Sequence, residues 1–350
     1  VSELYSNKKN KVNNLKRIKD NALFSWMIIF LGITILILSM LFSITQGALK
    51  IPIGTVYEAI FNFNLEDTNH LIIIDLRIPR VIASSLVGAA FAVAGAIMQG
   101  ITRNPMADSG LLGLNSGAAF ALAICLAFFP DAGYMKIIIF SFFGAALGTV
   151  LVNLVTSFKK GKVTPMRIVL AGAAVSALLS ALGQGIALYF DVEQNIMFWT
   201  AGGVAGSTWE QIKIMTPWII SALIGAIVLS RSISLLSLGE DVAKGLGLNT
   251  KVINLMCSII VLILAGASVS VVGAVGFVGL IIPHLSRYLV GVDYRLVIPT
   301  SAILGALLMV LADLGARMIN PPFETPIGAL TALIGVPFFL YLARNQRSGL

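Results

Sequence analysis

The sequence predicts an all-α polytopic membrane protein of about ten transmembrane helices, and three observations carry that prediction. Hydrophobic residues make up 57% of the chain and charged ones only 11%, against roughly 25% charged in soluble domains. Ten mostly apolar runs can be laid out, near 23–45, 81–100, 111–129, 137–155, 168–188, 212–230, 252–271, 275–290, 296–315 and 327–342. Each approaches the ~20 residues a helix needs to cross a bilayer core. Most of the charge is gathered in the connections and the two tails.

The first run is too long for a signal-peptide core and has no convincing small-residue cleavage site, so it reads as a retained span. Ahead of it, residues 1–22 form a basic tail whose Lys8, Lys9, Lys11, Lys16, Arg17 and Lys19 suit anionic lipid headgroups. The loop 61–75 is polar, and His70 within it reads as solvated. The fifth run carries Gly172, Ser176, Ser180 and Gln184, four residues apart, which makes one small, polar helix face. Such a row either packs closely against a neighbouring helix or walls a hydrophilic conduit.

Trp199 and Trp209 bracket the glycine-rich stretch 201–207 and read as headgroup-level anchors around a loop element that does not cross. The eighth run is short and interrupted by Gly276, Gly279 and Pro283; His284, beside that proline, reads as a helix-end hydrogen-bonding group. Gly273, Gly276 and Gly279 suit close packing or a hinge. Met98, Met106, Met197 and Met256 are scattered and read as packing. The ninth run holds Asp313 near its outer end, close to Arg317, which reads as an interfacial ion pair or a helix cap. After the tenth, residues 345–350 form a short tail, so that 23–344 is a single membrane domain.

One connection, residues 231–250, is too polar to cross yet is patterned like folded structure. Ser237 and Glu240 have capping-box spacing, Glu240 and Lys244 form an i,i+4 pair in the favourable order, and Leu238, Val242 and Leu246 share a helical face. Gly245 and Gly247 supply a stop. The pattern predicts a short amphipathic helix outside the membrane with an apolar face to cover. It would either receive a partner or lie on lipid; a lipid-lying helix favours a basic polar face, whereas this one carries Glu240, Asp241 and a single lysine.

Ten spans place both termini on one side. Eighteen of the 24 Lys and Arg residues fall on that side and six on the other, a bias that assigns the termini, and the 231–250 segment, to the cytoplasm of a cell or inner membrane. The basic isoelectric point then follows from topology and does not point to nucleic acid. No phosphate-binding loop or H-E-x-x-H motif occurs, and Cys125 and Cys257 lie within spans, so neither a disulfide framework nor a zinc site is indicated. No catalytic residues and no metal ligands are expected. A transporter with no midplane acids for ion coupling and no ATP site of its own needs an external engine, and the cytoplasmic helix is a place to attach one.

Five segments then bear on family: Arg77-Ile-Pro79-Arg80; Gln99-Gly-Ile-Thr-Arg103-Asn104-Pro105-Met-Ala107 with Leu111-Leu-Gly113; Leu238-Gly239 to Gly247-Leu248; Gly273 to Arg287 with Pro283-His284; and Glu324-Thr-Pro326-Ile-Gly328. In this order and with ten spans they resemble the FecCD family of ABC-importer permeases for iron–siderophores, haem and vitamin B12, from about residue 24 to 344. Within Met106-Ala107-Asp108-Ser109-Gly110 the chain departs slightly from the commoner family wording, which usually has a proline there.

The resemblance implies a BtuC-like permease fold and inward transport of an iron(III)–siderophore, with haem or cobalamin as alternatives and an ion-coupled secondary transporter as a competing class. It implies no enzyme activity and no cofactor in this chain, ATP and Mg being held by a partner ATPase. Implied partners are a second permease chain, identical or homologous, two cytoplasmic ATPase subunits, and an extracellular substrate-binding (lipo)protein. Arg77, Arg80 and Arg317 would receive carboxylates of that binding protein, with interfacial snorkelling as the alternative. Leu238, Gly239, Glu240, Asp241, Val242, Lys244 and Leu246 would couple to the ATPase. Gly172, Ser176, Ser180 and Gln184 would line the translocation path, and Thr164, Pro165 and Met166 would form a cytoplasmic gate.

Overall fold

The structure is a computed structural model that describes residues 2–47, 49–157, 165–200, 203–321, 323 and 325–346. Fourteen α-helices make up the described chain, and no strand occurs among the described residues. The apolar runs become α1 (Ser2–Thr45), α4 (Ile78–Thr102), α5 (Leu114–Phe128), α6 (Tyr134–Ser157), α7 (Pro165–Tyr189), α9 (Trp209–Ser237), α11 (Thr250–Val272), α12 (Val278–Val290), α13 (Tyr294–Ile319) and α14 (Ile327–Gln346). Shorter helices fill the connections: α2 (Ile53–Phe61), α3 (Thr68–Leu71), α8 (Glu193–Thr200) and α10 (Glu240–Gly245). A π-helical turn, Ile72–Arg77, feeds directly into α4, and a 3-10 turn, Ser109–Leu112, precedes α5.

Seven of these helices are long and apolar enough to cross a membrane, and α5, α12 and the apolar part of α14 are shorter. Together they coincide with the ten expected spans, and the chain is a multi-pass membrane protein. The eighth span is the one whose start moves. Residues 273–277, expected to be largely helical from 275, are non-helical, and α12 begins only at Val278. Gly273 (φ 73°) and Phe277 (φ 70°) turn the backbone there, and a side chain at Gly335 of α14 would collide with the Phe277 ring. Pro283 sits inside α12 without ending it.

The centre of the bundle is α4, buried along nearly its whole length and packed on α13, α11, α12 and α9. Lipid and aliphatic side chains are equally apolar, so helices in a membrane gain by packing closely rather than by escaping water. Small residues achieve this here. A Cβ added to Gly88 would lie 2.2 Å from the Gly305 carbonyl oxygen of α13, and one added to Gly95 would lie 1.9 Å from that of Gly279 in α12. A second seam joins α5 to α6, where a Cβ on Gly117 would lie 2.2 Å from the Gly144 oxygen.

Two polar networks mark opposite ends of the bundle. At one end Trp209 Nε1 donates to the Ile74 carbonyl at 2.8 Å and Gly203 N to that of Val272 at 2.8 Å. At the other, Gln99 Nε2 donates to the Gly279 carbonyl at 3.1 Å, Arg287 donates to Gln99 Oε1 at 2.6 Å, and Ser234 Oγ receives the Tyr294 amide at 2.9 Å. The tryptophans expected to anchor in headgroups therefore pack inward: both Trp199 and Trp209 lie against the core.

Candidate functional site

Two ends of the molecule and one cleft hold the functional candidates. At the first end, Arg80 Nε donates to Asp313 Oδ1 at 2.8 Å, and Arg317 Nη2 lies 3.2 Å from Asp313 Oδ2. Asp313 is fully buried, and Arg77, Arg80 and Arg317 are only 7–8% exposed. Arg77 donates to the Ile44 carbonyl at 2.6 Å and to that of Leu49; Arg317 donates to the Gln46 carbonyl at 3.2 Å and to Ser43 Oγ. The three arginines expected to project as docking forks thus turn inward. Arg77 and Arg317 hold the turn after α1, and Arg80 and Arg317 share one carboxylate. The reason is tertiary: charges this deep need partners, and α1, α4 and α13 converge to supply them. Arg80 also borders a recess of about 320 Å³ with Tyr134, Trp199, Gln211 and Thr325.

His70, expected to be solvated, is 5% exposed. Its Nδ1 accepts the Asn64 amide at 3.1 Å and its ring stacks on Phe63. His284 packs edge-on against Phe338.

The opposite end carries α10. Its N-cap is Gly239 at φ 131°, with no capping side chain. The capping box read from Ser237 and Glu240 does not form, because α9 continues through Ser237, whose hydroxyl donates to the Ser234 carbonyl at 2.7 Å. Glu240 instead receives Thr250 Oγ1 at 3.3 Å and pairs with Lys244 at 2.8 Å. That hydrogen bond holds the Lys244 ammonium above its ordinary pKa.

Ala243 is fully buried and roots α10 on the bundle, while Leu238, Val242 and Leu246 are 67%, 49% and 62% exposed. The apolar face read from the sequence therefore points away from the chain, with exposed Asp241 and Lys244 beside it. Gly247, at φ 83°, ends the element.

Along α7 the four-residue row divides. Ser180 and Gln184 are exposed and line an open cleft of about 590 Å³, whereas Gly172 is buried and Ser176 half-buried. Phe120 of α5 and Glu193, Gln194 and Met197 of α8 complete the wall. Met197, expected as packing, is 63% exposed, while Met98 is in the core at 2%. The α8 contribution escaped the sequence reading because it comes from a separate segment folded back beside α7. Of the expected gate, Thr164 lies outside the described residues, and Pro165 and Met166 open α7. Among the described residues no cluster of three or more His, Cys, Asp or Glu could hold a metal ion.

Comparison with known proteins agrees with this architecture. Residues 35–345 match the FecCD transport family. The chain is 50% identical over 327 residues to the iron(3+)-hydroxamate import system permease protein FhuB of Bacillus subtilis (strain 168), covering 93% of this chain and 84% of that protein. It is 35% identical to the ferric enterobactin transport system permease protein FepD of Escherichia coli (strain K12), covering 90% and 94%. A solved structure described as an inward-facing conformation of a metal-chelate type ABC transporter superposes with a TM-score of 0.79 at 31% identity, covering 91% of this chain and 99% of that one.

Proposed function

The chain belongs to the FecCD transport family, and from that membership we propose that it is the transmembrane permease of an ABC importer carrying an iron(III)–siderophore inward. The observation that carries the mechanical part of this reading is α10: a short helix rooted by Ala243 with Leu238, Val242 and Leu246 turned outward. A protruding apolar face of that size on a rigid element suits insertion into a partner's groove. The partner is an ATPase subunit that binds ATP and Mg, and the termini and α10 share the cytoplasmic side, in line with the distribution of Lys and Arg.

One chain offers one such lever, so two permease chains and two ATPase subunits make the working unit, with the conduit at the interface between permeases. Ser180 and Gln184 belong to its wall. An extracellular binding protein delivers the chelate to the Arg80 end. Arg77 and Arg317, committed to the chain's own oxygens, shape that docking surface by holding the turn after α1, and Arg80, held by Asp313, shapes the recess it borders without projecting from it. The relatives named above are iron-chelate permeases, which supports the substrate class.

Asp313, held between Arg80 and Arg317, is ill-suited to serve as the proton relay an ion-coupled carrier requires. The test is ATP-dependent uptake of a radiolabelled ferric chelate into cells expressing the complete importer, with the permease gene deleted and restored. Uptake that returns only with the gene and ceases on ATP depletion supports the reading; uptake that follows the proton gradient with ATP depleted refutes it.

A further inference from the structure

The open cleft between α5, α7 and α8 has a chemical bias that the family assignment does not contain. Its polar groups are the Ser180 hydroxyl, the Gln184 and Gln194 amides and the Glu193 carboxylate, its apolar wall includes Phe120 and Met197, and among the described residues no lysine, arginine or histidine lines it. Ser180, Gln184, Glu193 and Gln194 are all exposed to it. The cleft lies toward the Arg80 end of the bundle, since α5 and α7 both finish there, and it is therefore met early by anything entering from that side. The arginines that could have offset the carboxylate are turned inward around Asp313.

Ferric chelates differ in charge by class. Three hydroxamates neutralise ferric iron and leave an uncharged complex, or a cationic one when the ligand carries an amine. Three catecholates leave three negative charges, and citrate complexes are also anionic. Amide and hydroxyl groups hydrogen-bond to any of these oxygens. A carboxylate with no cation beside it favours a cationic complex, tolerates a neutral one and repels an anionic one, by an amount that matters in a partly dehydrated cleft.

We propose that this cleft is a charge-selective station on the import path, with Glu193 as its specificity-determining residue and neutral or cationic ferric hydroxamates as its ligands. The inference rests on the import reading given above.

The experiment uses one trihydroxamate scaffold in three ferric forms: with its free ammonium, acetylated to neutral, and succinylated to an anion. Uptake by cells expressing the complete importer is divided by the occupancy of the binding protein, titrated separately with each chelate. Wild type should favour the ammonium form over the neutral form and the neutral form over the anion. Gln184→Lys on the facing helix should raise the anion-to-neutral ratio about tenfold, the effect of one added unit charge several ångströms away, and independently Glu193→Lys, which changes the charge by two units, should raise it further. Glu193→Gln should lower the ammonium-to-neutral ratio.

Ratios within about twofold of wild type in all three variants would overturn the proposal, as would loss of all uptake in every variant present at wild-type levels in the membrane, since that pattern marks a structural role. Absence of ATP-dependent uptake of any of the three forms by wild type would instead sink the import reading itself.

Discussion

Asp313 of α13 and Arg80 of α4 meet at 2.8 Å with neither side chain more than 9% exposed, and Arg317 approaches the same carboxylate from one turn further along α13. The pair joins the two most intimately packed helices of the bundle at the level where Arg77 and Arg317 hold the turn after α1. It ties the end that holds the turn after α1 to the central helix of the bundle.

Removing the shared carboxylate leaves two buried guanidiniums facing each other. Asp313→Asn is expected to cost about 3 kcal/mol and to lower the thermal aggregation temperature of the purified protein in detergent. Asp313→Glu, which keeps the charge, should recover part of the loss.

Contacts between glycines set the distance between α4 and its neighbours. Gly95→Ala places a methyl carbon 1.9 Å from the Gly279 oxygen, while Gly54→Ala in α2 meets nothing within 4 Å. The first should destabilise by at least about 2 kcal/mol; the second should be neutral or slightly stabilising. Melting of the two variants side by side checks the contrast.

At the opposite end, the exposed face of α10 should matter for coupling and not for folding. Val242→Asp is expected to reduce chelate uptake at least about tenfold while the melting temperature of the isolated permease stays unchanged. Glu240→Gln removes an exposed, solvent-screened ion pair and should leave stability nearly untouched. A Val242→Asp permease that transports normally in the intact complex would refute the assignment.

Asp293 caps α13 through the Arg295 amide at 3.0 Å, and hydrogen bonds from the Arg295 guanidinium, with further help from Ser234, hold its carboxyl below the ordinary range. A depressed folded pKa gives stability that is fully present above the unfolded value near 3.9 and is lost as pH falls through the lower folded value. Its partner is largely exposed, so solvent screening keeps the effect to about 0.5 kcal/mol. Asp293→Asn should melt slightly below wild type at pH 6, and the difference should shrink as pH falls below the unfolded value near 3.9.

Much of this architecture is readable from the sequence because the bilayer imposes it. Apolar runs of fixed length mark the helices, and the 231–250 segment stands out because a membrane chain has no other use for so much patterned polarity. Less legible are features set by the meeting of distant segments. Nothing near Arg77 or Arg317 in sequence announces that Ile44, Leu49, Gln46 and Ser43 will take their hydrogen bonds. Ser237 looked like a cap because its spacing to Glu240 is right, yet α9 extends through it and Gly239 starts α10. Only two members of the α7 row reach the cleft, since the burial of α7 is decided by how it leans on α5.

The central claim, that this permease couples ATP hydrolysis on a partner to chelate import through α10, is tested most directly in proteoliposomes containing the whole complex. ATP hydrolysis and accumulation of a radiolabelled ferric chelate would be followed together for wild type and Val242→Asp. Accumulation in wild type only with ATP, with hydrolysis persisting but accumulation lost in the variant, is the expected result. Equal accumulation by both proteins, or accumulation driven by a proton gradient without ATP, would contradict it.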